Sequence, residues 1–517
     1  RVILIIFNQN HNILFMLKLH KQIKKNIQLK KKVLIEKIKS PKNGFTYSYN
    51  YTNLIDKSLI DLINYIDPKD KEYCLIAVGG YGRSDVAPFS DIDLLFIYSK
   101  KNKNIKIFIS KLNNALWDIG LEIGISFLTI NEALKDSKKE IKTLTKFLES
   151  RYLLGNRELY NEYLRNIKIL TGRLHPLKLS KQKLQELFIR HNNALGTKST
   201  LEPNIKEGVG CLRDVHTILW ISNFLFDVRK VDELELLNIL SSTEIRELKR
   251  SWEFLITVRS LNHFFNQSKG DIISIENQLK IAKHLKYKDV NFKSRKKEMG
   301  VEKFMKDLFL HITKISEILN LFYSKLPEEL IISTIFQQGS KIKNYKNKNF
   351  KITKGFLEFK KYDLENITLN WLSLLEESLN KNILVHPKVL DSLRKNHQKF
   401  PAKLKVKDFK IIRSIITSNN NPVRILRHLN DSRMLNAIFP EFGRVWGQVQ
   451  YDIYHQYTTD EHLILTLHHL HELIKMPFNK ELYEQLSDKP AIHIALLFHD
   501  IGKRGPKSHS IYGKELT

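Results

Sequence analysis

Residues 74–98 read C-L-I-A-V-G-G-Y-G-R-S-D-V-A-P-F-S-D-I-D-L-L-F-I-Y. Asp91 and Asp93 are the residues in it best suited to chemistry. On a strand, residues two apart face the same way, so these carboxylates point to one side, roughly 7 Å apart at the backbone. Ile92, Leu94 and Phe96 point to the other side and can bury. Two carboxylates together on a core strand are costly unless a cation sits between them. Mg²⁺ suits the place because it takes oxygen ligands and leaves positions open for phosphate. Just upstream, Gly79, Gly80 and Gly82 let the backbone approach a phosphate, and turn N–H groups can donate to it. Arg83 adds positive charge, and Ser90 precedes the first aspartate. The combination is that of metal-assisted phosphoryl or nucleotidyl transfer. The plainer alternative is a solvent-facing D-x-D after a glycine turn.

A second cluster lies near the end of the sequence. Residues 492–503 read I-H-I-A-L-L-F-H-D-I-G-K. His499 and Asp500 end an apolar helix there, and such a pair can hold a metal jointly through nitrogen and oxygen. His462, in Q-Y-D-I-Y-H-Q-Y-T-T-D-E-H, and His509 can complete the ligand set. His455 is a candidate for a supporting or substrate-facing role. A metal held there lowers the pKa of a water and directs it at a phosphoester. The alternative is a surface histidine cluster, since His468, His469, His471 and His493 lie nearby and receive no role.

The elements that must position these residues follow from periodicity. Residues 74–78 and 94–98 are strands, and residues 58–66 are a helix leading into the first. Residues 104–117 form a helix with Ile107, Leu112, Leu116 and Trp117 near helical spacing. Residues 121–130 form a third strand. Residues 143–154 are expected as a helix closed by Gly155, and residues 177–193 as another. Residues 201–220 read L-E-P-N-I-K-E-G-V-G-C-L-R-D-V-H-T-I-L-W, a loop marked by Pro203, Gly208 and Gly210 and then a helix. Loop N–H groups, Lys206 and Arg213 suit a phosphate. Arg213 and Asp214 equally suit a local ion pair. Residues 221–330 read as helices, 340–351 as a polar linker, and 356–393 and 407–438 as largely helical.

Composition bounds the rest. The length of 517 residues fits about three domains. Two cysteines exclude a disulfide scaffold and point to a reducing compartment, hence a cytoplasmic protein. No apolar run approaches the roughly 18 residues of a spanning helix, so no membrane association is expected. The net charge of +30 would suit a polyanion. However, the lysines are scattered, without interleaved aromatics, as a Lys-, Ile- and Asn-rich composition would leave them. Nucleic acid is therefore not taken as the partner.

The stretch G-G-Y-G-R…S-D-I-D-L-L resembles the signature of polymerase-beta-type nucleotidyltransferases. More narrowly, it resembles the bifunctional uridylyltransferase/uridylyl-removing enzymes that modify the PII nitrogen-signalling protein. E-P-N-I-K-E-G-V-G-C-L-R-D is similar to a hallmark of that family, with Val209 and Cys211 where Pro and Gly are usual. The H…HD…H order resembles the HD phosphohydrolases. The resemblance implies an α+β chain: a polymerase-beta-type nucleotidyltransferase domain, a helical middle region and a partial all-α HD domain. The expected divisions are a basic segment 1–45, a nucleotidyltransferase domain 46–175, a helical uridylyltransferase-associated domain 176–335, a linker and connector 336–440 and the start of the HD domain 441–517.

It further implies UMP transfer from UTP to a PII tyrosine. Asp91 and Asp93 would hold Mg²⁺. Gly79, Gly80, Arg83, Ser90, Lys206, Gly208, Arg213 and Asp214 would serve the nucleotide. Glu122 is the candidate third carboxylate, which in such enzymes activates the attacking hydroxyl; a strand-edge glutamate in solvent is the alternative. At the HD site, His462, His499, Asp500 and His509 would hold a divalent metal of unknown identity and release UMP. Where the family usually reads G-H-S-V-R-T, residues 124–129 read G-I-S-F-L-T, and Ser508 stands where an Asp is usual. A last metal ligand and two sensor domains are expected beyond Thr517. The rival expectations are an RNA-directed, CCA-adding type of nucleotidyltransferase and a degraded, non-catalytic PII-binding fragment.

Overall fold

The computed structural model describes residues 2–66, 72–100, 103–119, 121–194, 200–292, 295–335, 345–361, 367–399, 404–448, 457–503 and 509–516. The chain is mostly helical with small sheets and falls into two compact units. The first takes in Arg1–Lys183, Leu219–Lys230 and Lys249–Ile273, and the second Leu184–Ile218, Val231–Leu248 and Ser274–Thr517.

The first unit is built on a four-stranded sheet. It begins with helices α1 (Val2–Glu36) and α2 (Gly44–Ile66), then β1 (Tyr73–Ala77), the single helical turn α3 (Gly79–Gly82) and β2 (Ile92–Tyr98). Next come α4 (Lys103–Ile119), β3 (Ile123–Leu128), α5 (Ile130–Lys139), α6 (Ile141–Leu148), β4 (Arg151–Gly155) and α7 (Arg157–Arg173). The strand order is β3-β2-β1-β4. β1 runs antiparallel to β2 and β4, and β2 runs parallel to β3 with Asp93 opposite Gly124. One face of the sheet buries Cys74, Ile76, Leu95 and Ile97 against Ala133 of α5, Phe147 of α6 and Tyr163 of α7. On β2, Phe96 points the other way and packs with Tyr73, Phe108 and Phe127. The alternation expected for Ile92, Leu94 and Phe96 is thus realised with both faces covered. Thr129 closes β3 and caps α5: its hydroxyl accepts the Glu132 N–H while the Glu132 carboxylate accepts the Thr129 N–H.

Two expectations about elements need correction. Residues 143–154 do not form one helix: α6 ends at Leu148 and residues 151–155 pair with β1 as β4. The open edge of β1 supplies backbone partners that local propensity does not foresee. The helix expected over 104–117 forms as α4; it buries Leu112 and Leu116 and leaves Ile107 and Trp117 exposed. Residues 350–359, split between the expected linker and a helix, form a hairpin in the second unit, described below. Part of that linker, residues 340–344, lies outside the described residues.

Three helices are each divided between the two units' segments: α8 (Pro176–Asn193), α9 (Leu212–Phe226) and, after α10 (Glu233–Leu236), α11 (Ser242–Asn266). The second unit continues with α12 (Ile275–His284), the hairpin β5 (Val290–Phe292) and β6 (Arg295–Glu298), α13 (Gly300–Lys325) and α14 (Glu328–Ile335). The hairpin β7 (Phe350–Thr353) and β8 (Phe356–Phe359) follows, joined by Lys354 and Gly355 at φ 49° and 79°. Two residues with positive φ are what a tight hairpin turn requires. A helical array completes the unit: α15 (Ile367–Lys381), α16 (Pro387–Lys395), α17 (Val406–Ile416), α18 (Val423–Asp431), α19 (Met434–Ile438), α20 (Phe442–Val445), α21 (Thr459–Leu473), α22 (Pro477–Glu484), α23 (Lys489–Phe498) and α24 (His509–Leu516). Its core joins Leu372, Leu426, Phe442, Leu463 and Leu497. No helix among the described residues is long and apolar enough to cross a membrane.

Candidate functional site

In the first unit, the parallel pairing of β2 with β3 brings three carboxylates to one end of the sheet. Asp93 is on β2, Asp91 just before it, and Glu122 just before β3; the Ile92 N–H donates to the Glu122 carbonyl at 2.8 Å. Two lysines meet the carboxylates. Lys146 of α6 donates to Asp93 at 2.7 Å. Lys269, in the loop after α11, donates to Asp91 at 3.0 Å and to Glu122 at 2.6 Å. The hydrogen bonds to Glu122 and Asp91 push the Lys269 ammonium above the ordinary lysine range. An ammonium bonded to two carboxylates marks a place suited to a cation, so the residues fit Mg²⁺. Glu122 is therefore beside Asp91, although more than half of its side chain is exposed.

The glycine turn lies against the same end. Gly79 adopts φ +59°, and a Cβ there would come within 3.5 Å of the Asp93 carboxylate. A Cβ on Gly82 would lie 1.9 Å from the Glu149 carbonyl, so only glycine fits. As α3 starts here, the N–H groups of Gly79 and Gly80 have no carbonyl partner within the turn. Two buried networks hold the turn. Tyr81 is buried, and its hydroxyl donates to Asp56 at 2.5 Å; Arg151 grips the same carboxylate at 2.6 and 3.1 Å. Arg83 pairs with Glu149 and, at 3.7 Å, with Asp85, and Trp220 donates to Glu149 at 2.5 Å. Burial lowers the Arg83 guanidinium, but Glu149 and Asp85 outweigh it and the net shift is upward. Arg83, expected at the nucleotide, is only 16% exposed and braces the turn from within. Ser90 closes its own loop, its hydroxyl accepting the Ala87 N–H at 3.2 Å.

The E-P-N loop belongs to the second unit and is self-contained. Asn204 accepts the N–H groups of Lys206 and Glu207 through its side chain and that of Gly208 through its carbonyl. The Cys211 N–H donates to Gly208, and the Gly210 N–H to Asp214 at 2.7 Å. These N–H groups, expected to face a phosphate, are used inside the loop. Its glycines answer to packing: a Cβ on Gly210, at φ +75°, would meet the Ile312 carbonyl at 2.1 Å, and one on Gly208 the Asn204 carbonyl at 2.5 Å. Asp214, also expected at the nucleotide, has no exposed surface; Arg190 binds it at 2.7 Å and His191 at 3.1 Å. Arg213 grips Glu207 at 2.6 Å. Burial raises the Glu207 carboxyl, but Arg213 and Arg190 hold it below the usual range.

The second cluster also lies in the second unit. His462, on the first turn of α21, meets His499 and Asp500, which follow α23. The two Nε2 atoms are 3.2 Å apart, and the Asp500 carboxylate lies 3.9 Å from His462 and 3.5 Å from His499. Among the described residues, these three form the group whose potential metal-ligand atoms lie within 4.8 Å of one another. His499 Nδ1 sits 2.8 Å from the Leu496 carbonyl, which turns Nε2 toward the cluster, as a ligating histidine requires. This donor set fits a divalent metal. Lys503 donates to Asp500 at 2.6 Å. Burial raises the Asp500 carboxyl, but Lys503, His499 and His462 bring it below its usual value. Upstream of His462, Asp460 and Glu461 are buried on Asn430 and Arg427 and fix the start of α21. His509 opens α24, but its side chain lies outside the described residues, as do His455 and Ser508.

Lys146, Lys269, Glu149 and Asp56 were not singled out from the sequence. Lysine is too frequent in this chain for any one to stand out, and no local pattern connects these residues to the strands they serve.

The structure thus carries two candidate sites for phosphate-ester chemistry: carboxylates beside a glycine turn on a small mixed sheet, and a His-His-Asp cluster in a helical array. Residues 178–323 match the family model described as GlnD PII-uridylyltransferase. Three bifunctional uridylyltransferase/uridylyl-removing enzymes illustrate the relatives. That of Rhodospirillum rubrum is 31% identical over 86% of this chain and 48% of its own length. That of Cereibacter sphaeroides is 32% identical over 86% and 48%. That of Azospirillum brasilense is 29% identical over 89% and 51%. The chain is a relative of these enzymes over most of its own length, and it spans about half the length of the curated relatives it matches.

Proposed function

We propose that the first site transfers UMP from UTP to a tyrosine hydroxyl of a PII signalling protein, and that the second hydrolyses UMP from the modified protein. The observation that carries this reading is the gathering of Asp91, Asp93 and Glu122 beside the glycine turn. The names of the relatives and the PII-uridylyltransferase match to residues 178–323 support the choice of nucleotide and acceptor.

Asp91 and Asp93 would hold Mg²⁺, which when bound supplies positive charge to the triphosphate. The Gly79–Gly82 turn takes the phosphates through its backbone. Glu122 accepts the proton of the attacking tyrosine hydroxyl. The tyrosine oxygen bonds to the α-phosphorus, the bond to the β-phosphate bridging oxygen breaks, and pyrophosphate leaves. In the second site, His462, His499 and Asp500 would hold a divalent metal, which when bound makes water a better nucleophile. The products are UMP and free tyrosine. Both cysteines are free thiols, in keeping with a cytoplasmic setting.

The test is incubation of the whole chain with Mg²⁺, labelled UTP, and either PII or tRNA. Label is expected on PII, and Asp91→Asn or Asp93→Asn is expected to lower its incorporation by roughly 10²–10³-fold or more. Label on tRNA alone would favour the RNA-directed alternative that the +30 charge allows. Undiminished transfer by the aspartate variants would refute the site.

A further inference from the structure

The transfer reading gives Asp91, Asp93 and Glu122 roles and leaves Lys269 without one. Lys269 is 178 residues from Asp91 in sequence, yet its ammonium bridges Asp91 and Glu122. The loop that delivers it is firmly built. Arg259, Asn262 and His263, at helical spacing on α11, share one face. Arg259 donates to Asp271 at 2.7 Å, and His263 Nε2 lies 3.1 Å from the same oxygen. Asn262 donates to the carbonyls of Gly270 at 2.7 Å and Ile272 at 3.0 Å. His263 is wholly buried, and its Nδ1 reaches the Pro88 carbonyl at 2.5 Å. Pro88 lies in the segment that leads into Asp91. One histidine therefore ties the Lys269 loop to the Asp91 loop.

The Lys269 ion pairs are themselves half-exposed, and such pairs contribute little to stability, so stability does not explain them. A positioned charge does. We propose that Lys269 is a nucleotide-site residue. It holds Asp91 and Glu122 together as a tethered cation, and moves to the polyphosphate when metal and nucleotide arrive. A divalent cation on Asp91 repels the ammonium, and the pinned loop keeps it from leaving. The phosphate oxygens that enter with the cation are then its nearest anions. Lys146, on Asp93, is a second ammonium, so the three carboxylates face two ammoniums and keep one negative charge in excess.

This inference rests on reading the carboxylates as a metal site, and binding measurements separate the two. The probe is Mn²⁺, titrated without nucleotide into the whole chain by electron paramagnetic resonance. Every variant also carries His499→Ala, so that the second cluster does not contribute. Lys269→Met, with no ammonium to compete, is expected to bind Mn²⁺ several-fold tighter than Lys269. With Mg²⁺ and a non-hydrolysable UTP analogue the order reverses. Lys269→Met is then expected to bind the analogue roughly tenfold more weakly, as loss of a charged hydrogen bond implies, while Lys269→Arg largely keeps the affinity. Unchanged or weaker Mn²⁺ binding by Lys269→Met, or unchanged affinity for the analogue, overturns the role of Lys269 alone. If Asp91→Asn leaves Mn²⁺ binding intact, the metal-site reading falls and the inference falls with it.

Discussion

Asp214 shows at the scale of one residue how a buried charge is held by its neighbours. Burial raises its carboxyl, but His191 and Arg190 outweigh burial and hold it below the usual carboxylate range. A folded pKa depressed in this way contributes stability above the unfolded value of about 3.9, and that stability is lost as pH falls through the lower folded value. Asp214→Asn is therefore expected to cost about 3–5 kcal/mol at pH 7, because Arg190 and His191 lose a buried partner. The difference from the parent should shrink below about pH 4. Urea unfolding at the two pH values measures it, and an equal cost at both would contradict the account. The cysteines give a second case. Burial pushes the Cys74 thiol up to about 12 and the Cys211 thiol well above its ordinary value. Both should resist a thiol reagent at pH 8 in the folded chain and react in urea. Fast labelling of either in the native chain would show that it is not enclosed.

At the scale of elements, close backbone approach decides where glycine is required. Gly210 combines φ +75° with a site 2.1 Å from the Ile312 carbonyl, so Gly210→Ala must move the loop away from α13. The expected loss is about 1–3 kcal/mol, read as a lower midpoint in urea. An unchanged midpoint would show that the loop and α13 part easily. The departures from the expected elements have similar causes. β4 exists because β1 offers an edge, and Arg151 extends from it to grip Asp56. That pairing is tertiary and leaves no periodic trace in L-E-S-R-Y-L-L. The β7–β8 turn leaves only a weak trace: Gly355 supplies one of its two positive-φ positions, but Lys354 at φ 49° is not a residue that favours one.

At the scale of the whole molecule, the described residues of each cluster fall within one unit. The carboxylates, glycine turn and both lysines belong to the first, and His462, His499 and Asp500 to the second. His499→Ala and Asp500→Asn are therefore expected to abolish release of UMP from modified PII while leaving UMP transfer within about twofold of the parent. A parallel loss of transfer in the whole chain would show that the two sites act as one.

The sequence by itself determined the chemistry-bearing pairs. Asp91 with Asp93, and His499 with Asp500, are neighbours in the chain, so strand and helix geometry alone bring them together. It also revealed the glycine turn before the aspartates, because a break between two apolar runs is a local feature. What only the tertiary structure decided was their company. Glu122 reaches Asp91 through a parallel strand pairing, His462 reaches His499 across two helices, and Lys146 and Lys269 arrive from 53 and 178 residues away. Such contacts are set by which surfaces pack, and packing depends on the whole chain. The same reason turned Arg83 and Asp214 inward: each found buried partners of opposite charge, and a charge in a low-dielectric interior is held by its partners.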